Sequence, residues 1–207
     1  MNAPVGAHQS KWETKMKRMI SAIALVAATT VPALASDEQI LRAFDVAEDH
    51  TRFVFAPTPV DADGMPQHGN PFVAQGYVYP AGALADGETG VNEDGSPTHP
   101  ELVLGEWTCD GWFVGDAMAT ETGTFLISRQ TVVLDSGDIL ISHGPEIVDP
   151  GVAQVRAVTG GTGAFAAHDG DLHQTFIEWS EHMGLRASFV LLETEEQEDE
   201  LHEIDAD

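Results

Sequence analysis

The sequence predicts an all-β chain folded as one antiparallel, eight-stranded closed barrel. Three observations predict it. Beyond about residue 50 the chain runs as short β-rich segments punctuated by Gly, Pro, Asp and Asn. No helical pattern there is long enough to serve as the crossover of a βαβ unit, so neighbouring strands pair antiparallel. The strands also carry few of the Lys and Pro residues that blunt exposed sheet edges, and closure makes such guards unnecessary.

The N-terminus comes first. Lys15, Lys17 and Arg18 precede an apolar run at 19–31, and then Pro32-Ala33-Leu34-Ala35-Ser36. A basic stretch, an apolar stretch of about 7–15 residues and an Ala-x-Ala site make a secretory signal peptide, whereas a bilayer span needs about 20 residues. Residues 1–35 therefore read as an extension plus signal peptide cleaved after Ala35. The protein is expected to be exported, to the periplasm or beyond, with no membrane partner after cleavage. A buried amphipathic helix is the competing reading, and residues 1–15 read as an overlong gene start ahead of Met16.

Residues 36–50 place Ile40, Leu41, Phe44 and Ala47 at a weak helical spacing and read as a lead-in helix or linker. The barrel is assigned to 51–193, with strands at 52–56, 72–79, 102–115, 123–134, 138–143, 153–159, 171–179 and 185–193. Asp135-Ser136-Gly137 is the clearest hairpin turn. The polar Gly/Pro stretch 81–100 exceeds the usual loop limit of about 12–15 residues, and reads as a lid, a binding loop or a mobile surface insertion. The acidic run 194–207 reads as a disordered tail.

Composition removes several functions. The 207 residues hold 9 Lys+Arg against 34 Asp+Glu, a net charge of −25, with 43% hydrophobic residues and one cysteine. A surface of that sign repels phosphates, which excludes nucleic acid and anionic membranes as partners. One cysteine excludes an intrachain disulfide and a Cys-based zinc cluster. Removal of 1–35 leaves five arginines against 33 acids and no lysine. Such a chain either works in a saline compartment or reflects the general acidity of a marine proteome.

The one specific motif lies at Gly160-Gly161-Thr162-Gly163-Ala164-Phe165, between an apolar strand and the strand after Gly170. Its glycines permit positive φ and close backbone approach, and Phe165 can fold back onto the core. A P-loop is excluded because no helix pattern and no Lys-Ser/Thr follow. With this motif, and with Gly105 and Cys109 at a strand start upstream, residues 102–179 resemble the allene oxide cyclase and dirigent-protein group of calycin-like barrels. His168-Asp169-Gly170 departs from the Ala-Arg-Gly usual in dirigent proteins. No counterpart is found of the Glu- and Asn-containing N-terminal segment of the cyclases. The resemblance implies the barrel, an apolar mouth, no cofactor, and a homotrimer as one assembly.

A small eight-stranded barrel can hold one small ligand, and chemistry without metal or nucleotide works by confinement, orientation and a few placed charges. Period two supplies the candidates. Trp107, Cys109 and Phe113 share one strand face, Phe125, Ile127 and Arg129 another, and His173, Thr175, Ile177 and Trp179 a third. Cys109, Arg129 and His173 are the catalytic candidates; Trp107, Phe113, Phe125, Ile127 and Trp179 are the ligand walls. Gly160, Gly161, Gly163 and Phe165 form the structural turn. Each has a plainer reading: Cys109 as a small core residue, the tryptophans as core or interface anchors, Arg129 as a surface ion pair. His143, His168, His173 and His182 match no zinc template, so no metal is assigned, and no G-x-S-x-G elbow suggests a hydrolase. Two functions remain. One is a cofactor-free cyclase, isomerase or stereo-directing protein acting on a small apolar or phenolic molecule; the other is a lipocalin-like carrier or scavenger.

Overall fold

The computed structural model describes residues 41–117, 119–168 and 170–192. Nine strands follow in order: β1 Ala43–Glu48, β2 Val54–Phe55, β3 Pro71–Pro80, β4 Gly105–Phe113, β5 Thr124–Leu134, β6 Ile139–Ile147, β7 Ala153–Thr162, β8 Asp171–Trp179 and β9 Leu185–Leu192. They pair antiparallel in the order β1-β9-β8-β7-β6-β5-β4-β3-β2, and a further pairing of β1 with β3 closes the sheet. The ring is thus eight strands, β1 and β3–β9, as the sequence predicts. The described residues contain no helix long and apolar enough to cross a membrane.

One stave differs from expectation. Residues 43–48 are a strand of the ring and not a helix, pairing with Ala187 and its neighbours on β9 and with 76–80 on β3. The period-two signal is erased because β1 is buried on both faces. Phe44 and Val46 belong to the interior core, whereas Ala47 packs outward with Tyr79, Leu84 and Val91. The expected strand at 52–56 reduces to β2, whose Val54 and Phe55 continue the same edge of β3 opposite Val73 and Phe72. Between β1 and β2 the chain makes a 3-10 turn at His50–Arg52. Asp49 caps it, accepting from the Thr51 amide at 2.9 Å and the Thr51 hydroxyl at 2.7 Å.

The stretch 81–100 is an outer cover for β1 and β3. Tyr77 and Tyr79 donate their hydroxyls to the Gly95 and Gly90 carbonyls at 3.0 and 2.6 Å. The buried Asp45 accepts the Leu84 amide at 3.0 Å. That placement answers the lid reading: the segment clads the wall instead of closing the mouth.

The interior has two characters. β1, β3, β4 and β9 contribute Phe44, Val46, Phe72, Ala74, Val78, Trp107, Cys109, Phe113, Leu185, Ala187, Phe189 and Leu191. β5 to β8 add a buried polar group: Ser128, Gln130, Ser142, Glu146, Arg156 and Gln174. The end of the barrel between β7 and β8 is sealed by the Gly163–Phe165 turn, with Phe165 buried. Gly161 lets that seal form, because a Cβ there would lie 2.6 Å from the Phe165 carbonyl oxygen. Gly163, at φ +59°, sits against Asp138, which accepts the Ala164 amide at 3.0 Å.

Candidate functional site: an aromatic mouth over buried carboxylates

The other end of the barrel is open and holds a cavity of about 440 Å³. It lies where β1, β4 and β8 finish and β3, β5 and β9 begin. Its wall is a run of aromatic rings in successive contact. Phe55 touches Phe53 (5.7 Å between centroids), Phe53 touches Phe72 (6.0 Å), and Phe72 touches Phe113 (5.4 Å). The run continues from Phe113 to Phe125 (6.4 Å), Trp179 (6.1 Å) and Phe176 (5.1 Å). Most of these contacts are tilted or edge-on, the arrangement that ring quadrupoles favour. All of these rings except Phe176 line the cavity.

Beneath the rings lie Glu48, Cys109 and Glu146. Glu146, fully buried on β6, is an acceptor in every contact. The Ser128 hydroxyl donates to its Oε1 in a short bond, Cys109 Sγ donates to Oε1 at 3.3 Å, and Gln174 Nε2 donates to Oε2 at 3.1 Å. Gln130 donates to Gln174 in turn at 3.0 Å. Behind Glu146 lies Arg156, also fully buried, with Nη1 3.8 Å from Oε1. Arg156 also donates to the carbonyls of Ser128 at 2.9 Å and Pro145 at 3.1 Å, and to the Ser142 hydroxyl at 3.2 Å. Burial pulls the Arg156 ionisation below its usual value, an effect that nearby Glu146 partly opposes. A buried pair with its remaining donors and acceptors occupied can persist; either member alone would be costly.

Glu48 has a different environment. Burial, and then the negative charges of Glu146 and Asp49, push its carboxyl up to about 8, with a backbone bond at Leu185 offsetting part of this. It is therefore a neutral acid at pH 7. Burial, and then the Glu146 charge, also raise the Cys109 thiol well above its usual value. That environment makes Cys109 a donor to Glu146, not a thiolate nucleophile. At the rim the rings of His50 and His182 stand 4.7 Å apart, and His182 lies 3.3 Å from Glu181.

The predicted residues separate cleanly. Cys109, Phe113, Phe125 and Trp179 line the cavity. Trp107 points inward but is buried in the core away from it. Arg129 and Ile127 are on the outside, against expectation. A β-bulge between Thr124 and Leu126 puts both Phe125 and Leu126 inside and shifts the alternation that follows. Arg129 there pairs with exposed Asp110 at 2.8 Å. His173 is also on the outer face, because Leu172, Gln174 and Phe176 are the inward set of β8. A second irregularity between Phe176 and Glu178 then returns Trp179 to the cavity. Among the described residues no group of three or more His, Cys, Asp or Glu could hold a metal ion.

The sequence reading missed Glu48, Glu146 and Arg156. On β6 the inward residues are Leu140, Ser142, Gly144 and Glu146, whereas the outward Ile139, Ile141 and Ile147 look more like a core face. Hydrophobicity there points the wrong way. Glu48 was hidden by the helical reading of β1, so the cavity does have an acid from the N-terminal segment where none was expected.

No family profile matches the chain, and no curated protein sequence matches it. Solved structures do. A pterocarpan synthase dirigent protein, 15% identical, superposes with a TM-score of 0.51, covering 71% of this chain and 88% of that one. A second pterocarpan synthase dirigent protein, 14% identical, gives 0.50 over 71% and 79%. A pyocyanin demethylase, 14% identical, gives 0.44 over 72% and 98%. The two dirigent likenesses establish the architecture alone: the chain carries a dirigent-like β-barrel.

Proposed function

We propose that the open end of the barrel binds a small apolar or phenolic molecule and promotes its isomerisation or ring closure without a cofactor. The observation that carries this is that two buried carboxyl groups, Glu48 and the donor-bonded Glu146, line one cavity under a run of aromatic rings, and burial shifts Glu48 toward its neutral form. Two carboxyl groups held in different environments can divide the work of acid and base. Glu48 would deliver a proton to one substrate atom, and an equal proton returning from another atom restores it, so no co-reactant is consumed. The aromatic wall would hold the molecule in one reactive geometry. Two barrels of the same fold are named as pterocarpan synthases, which agrees with small phenolic substrates. The plainer function is a carrier that uses the same cavity and leaves its cargo unchanged. Export through the leader at 1–35, and a homotrimer, belong to this reading as expectations.

Native mass spectrometry of protein purified from its source would test the reading. The expected result is one small aromatic molecule per chain, and a chain mass that begins at Ser36. Incubation with fresh ligand should convert it, and Glu48→Gln should stop conversion while retaining binding. Unchanged ligand after prolonged incubation would leave the carrier; absence of any ligand affinity would remove both functions.

A further inference from the structure

We propose that the mouth takes a neutral aromatic carbonyl compound, held with its carbonyl oxygen at the floor and a hydroxyl at the rim. The proposal rests on the ligand-binding reading and names its substrate class. What decides it is which hydrogen-bonding groups of the lining are already engaged. At the floor the Cys109 thiol donates to Glu146 at 3.3 Å, and Glu146 also accepts from Ser128 and Gln174. Arg156 balances the Glu146 charge from behind. Glu48 differs. None of the ion pairs among the described residues includes it. A carboxyl buried beside the Glu146 charge without a cation of its own keeps its proton. It accepts a backbone bond at Leu185, which leaves its O–H as the uncommitted donor of the floor among the described residues. The rim has the opposite polarity. His50 Nε2 lies 3.2 Å from the Glu93 carbonyl oxygen, and His182 Nε2 lies 3.3 Å from the Glu181 carboxylate. Both partners only accept, so in the neutral rings Nε2 carries the hydrogen and Nδ1 keeps its lone pair. Glu121 adds a further acceptor to the lining, while the Thr120 hydroxyl is engaged by the Asp116 carbonyl at 2.8 Å.

A matching guest presents an acceptor inward and a donor outward. A carbonyl oxygen suits the floor because it takes the Glu48 proton in a hydrogen bond and brings no hydrogen of its own to be satisfied. A hydroxyl there would bring one, and both Glu146 oxygens already accept. A carboxylate would bury a charge near Glu146 with no cation left to meet it. A cation would find the Glu146 charge already met by Arg156, and ionising Glu48 would remove the donor. The guest is therefore neutral. The ring-lined wall suits a flat aromatic frame, and a cavity of about 440 Å³ suits a small one. The titratable groups around Glu48 are Glu146 and Asp49, which act on it through their charges, and Cys109, His50, His182 and Glu121, which share the lining.

The test uses probes on one two-ring frame: indane, 1-indanone, 5-indanol, and 1-indanone hydroxylated either at carbon 5, remote from the carbonyl, or at carbon 7, beside it. Affinities for the intact protein are read by titration calorimetry at pH 7. There 1-indanone should bind at least about tenfold more tightly than indane, and 5-indanol should gain less. The 5-hydroxy ketone should be the tightest, ahead of its 7-hydroxy isomer. At pH 9, with the fold confirmed by circular dichroism, ionised Glu48 no longer donates, and the advantage of 1-indanone over indane should disappear. Glu48→Gln, whose amide donates without titrating, should keep that advantage at both pH values. Glu48→Leu should lose it at both. Should the Leu variant not fold, the pH comparison on the native protein decides; should the native fold not hold at pH 9, the variants at pH 7 decide. Equal binding of 1-indanone and indane, a preference for 5-indanol over 1-indanone, equal binding of the two hydroxy ketones, or an advantage unchanged at pH 9 would overturn the proposal and leave the cavity as a ligand site. Binding of none of the probes would overturn the ligand-binding reading and the proposal with it.

Discussion

Glu48 shows how one buried side chain can make the whole fold respond to pH. Burial pushes its carboxyl from the usual 4.5 up to about 8 in the barrel. Between those values the folded chain holds a proton that the unfolded chain has released. Stability therefore falls as pH rises across that window. The contribution is complete below about 4.5 and lost above about 8. At about 1.4 kcal/mol for each pH unit that separates the two values, it amounts to a few kcal/mol. Urea unfolding at intervals from pH 5 to 8.5 should show this decline in the native protein and a flatter profile in Glu48→Gln. Parallel profiles would mean that Glu48 ionises normally and is no reservoir of a proton. Single residues also show what could be read in advance. Cys109, Phe113, Phe125 and Trp179 were legible because a large or soft apolar side chain on a strand has few places to go but inward. Glu146 and Arg156 were not, since nothing local distinguishes a buried ion pair from two surface charges. Only the register of β5, β6 and β7 brings them together.

At the scale of elements, the Gly-rich motif is legible as a structural device, and its turn seals the end of the barrel away from the cavity. Its two adjacent glycines are unequal. At Gly161 a Cβ would lie 2.6 Å from both the Cβ and the carbonyl oxygen of Phe165 and 2.9 Å from the Ile139 carbonyl oxygen, while at Gly160 nothing stands within 4 Å. Overpacking against backbone typically costs about 1–3 kcal/mol, and an unobstructed surface change stays within about 0.5 kcal/mol. Gly161→Ala should therefore lower the unfolding midpoint clearly, and Gly160→Ala should leave it nearly unchanged. Equal effects in the two variants would show that the motif acts through backbone freedom and not through close approach. Strand positions from β3 onward were largely legible from Gly and Pro punctuation. β1 was not, because the cover formed by 81–100 removes the polar face by which a strand is recognised. The bulge in β5 escaped for a related reason: an extra residue reverses the facing of those after it, and no composition rule announces it.

The whole molecule sets two opposing demands. Closure of eight strands removes every edge of the ring and lets a chain of this size combine a sealed end, a polar interior and an open aromatic mouth. Its surface charge works the other way. With 34 acids against 9 Lys+Arg, compaction brings like charges together, and the few cations are partly committed. Arg129 is held by Asp110, Arg186 by Glu178, and Arg156 is inside. The exposed Arg129–Asp110 pair contributes at most about 1 kcal/mol, so it cannot offset the repulsion summed over the surface. Mobile ions can. The screening length is about 10 Å at 0.1 M salt and about 3 Å at 1 M, so added NaCl should remove most of the repulsion between exposed carboxylates while leaving Glu146–Arg156 unaffected in the interior. Thermal unfolding should accordingly shift upward from 0.05 to 1 M NaCl, with most of the gain arriving early, when the screening length first drops below the spacing of surface charges. A neutral sugar at matched osmolality should not reproduce that curve. A midpoint indifferent to NaCl would mean that the acids are spaced widely enough to ignore one another, and the acidity would then say nothing about the medium in which the barrel works.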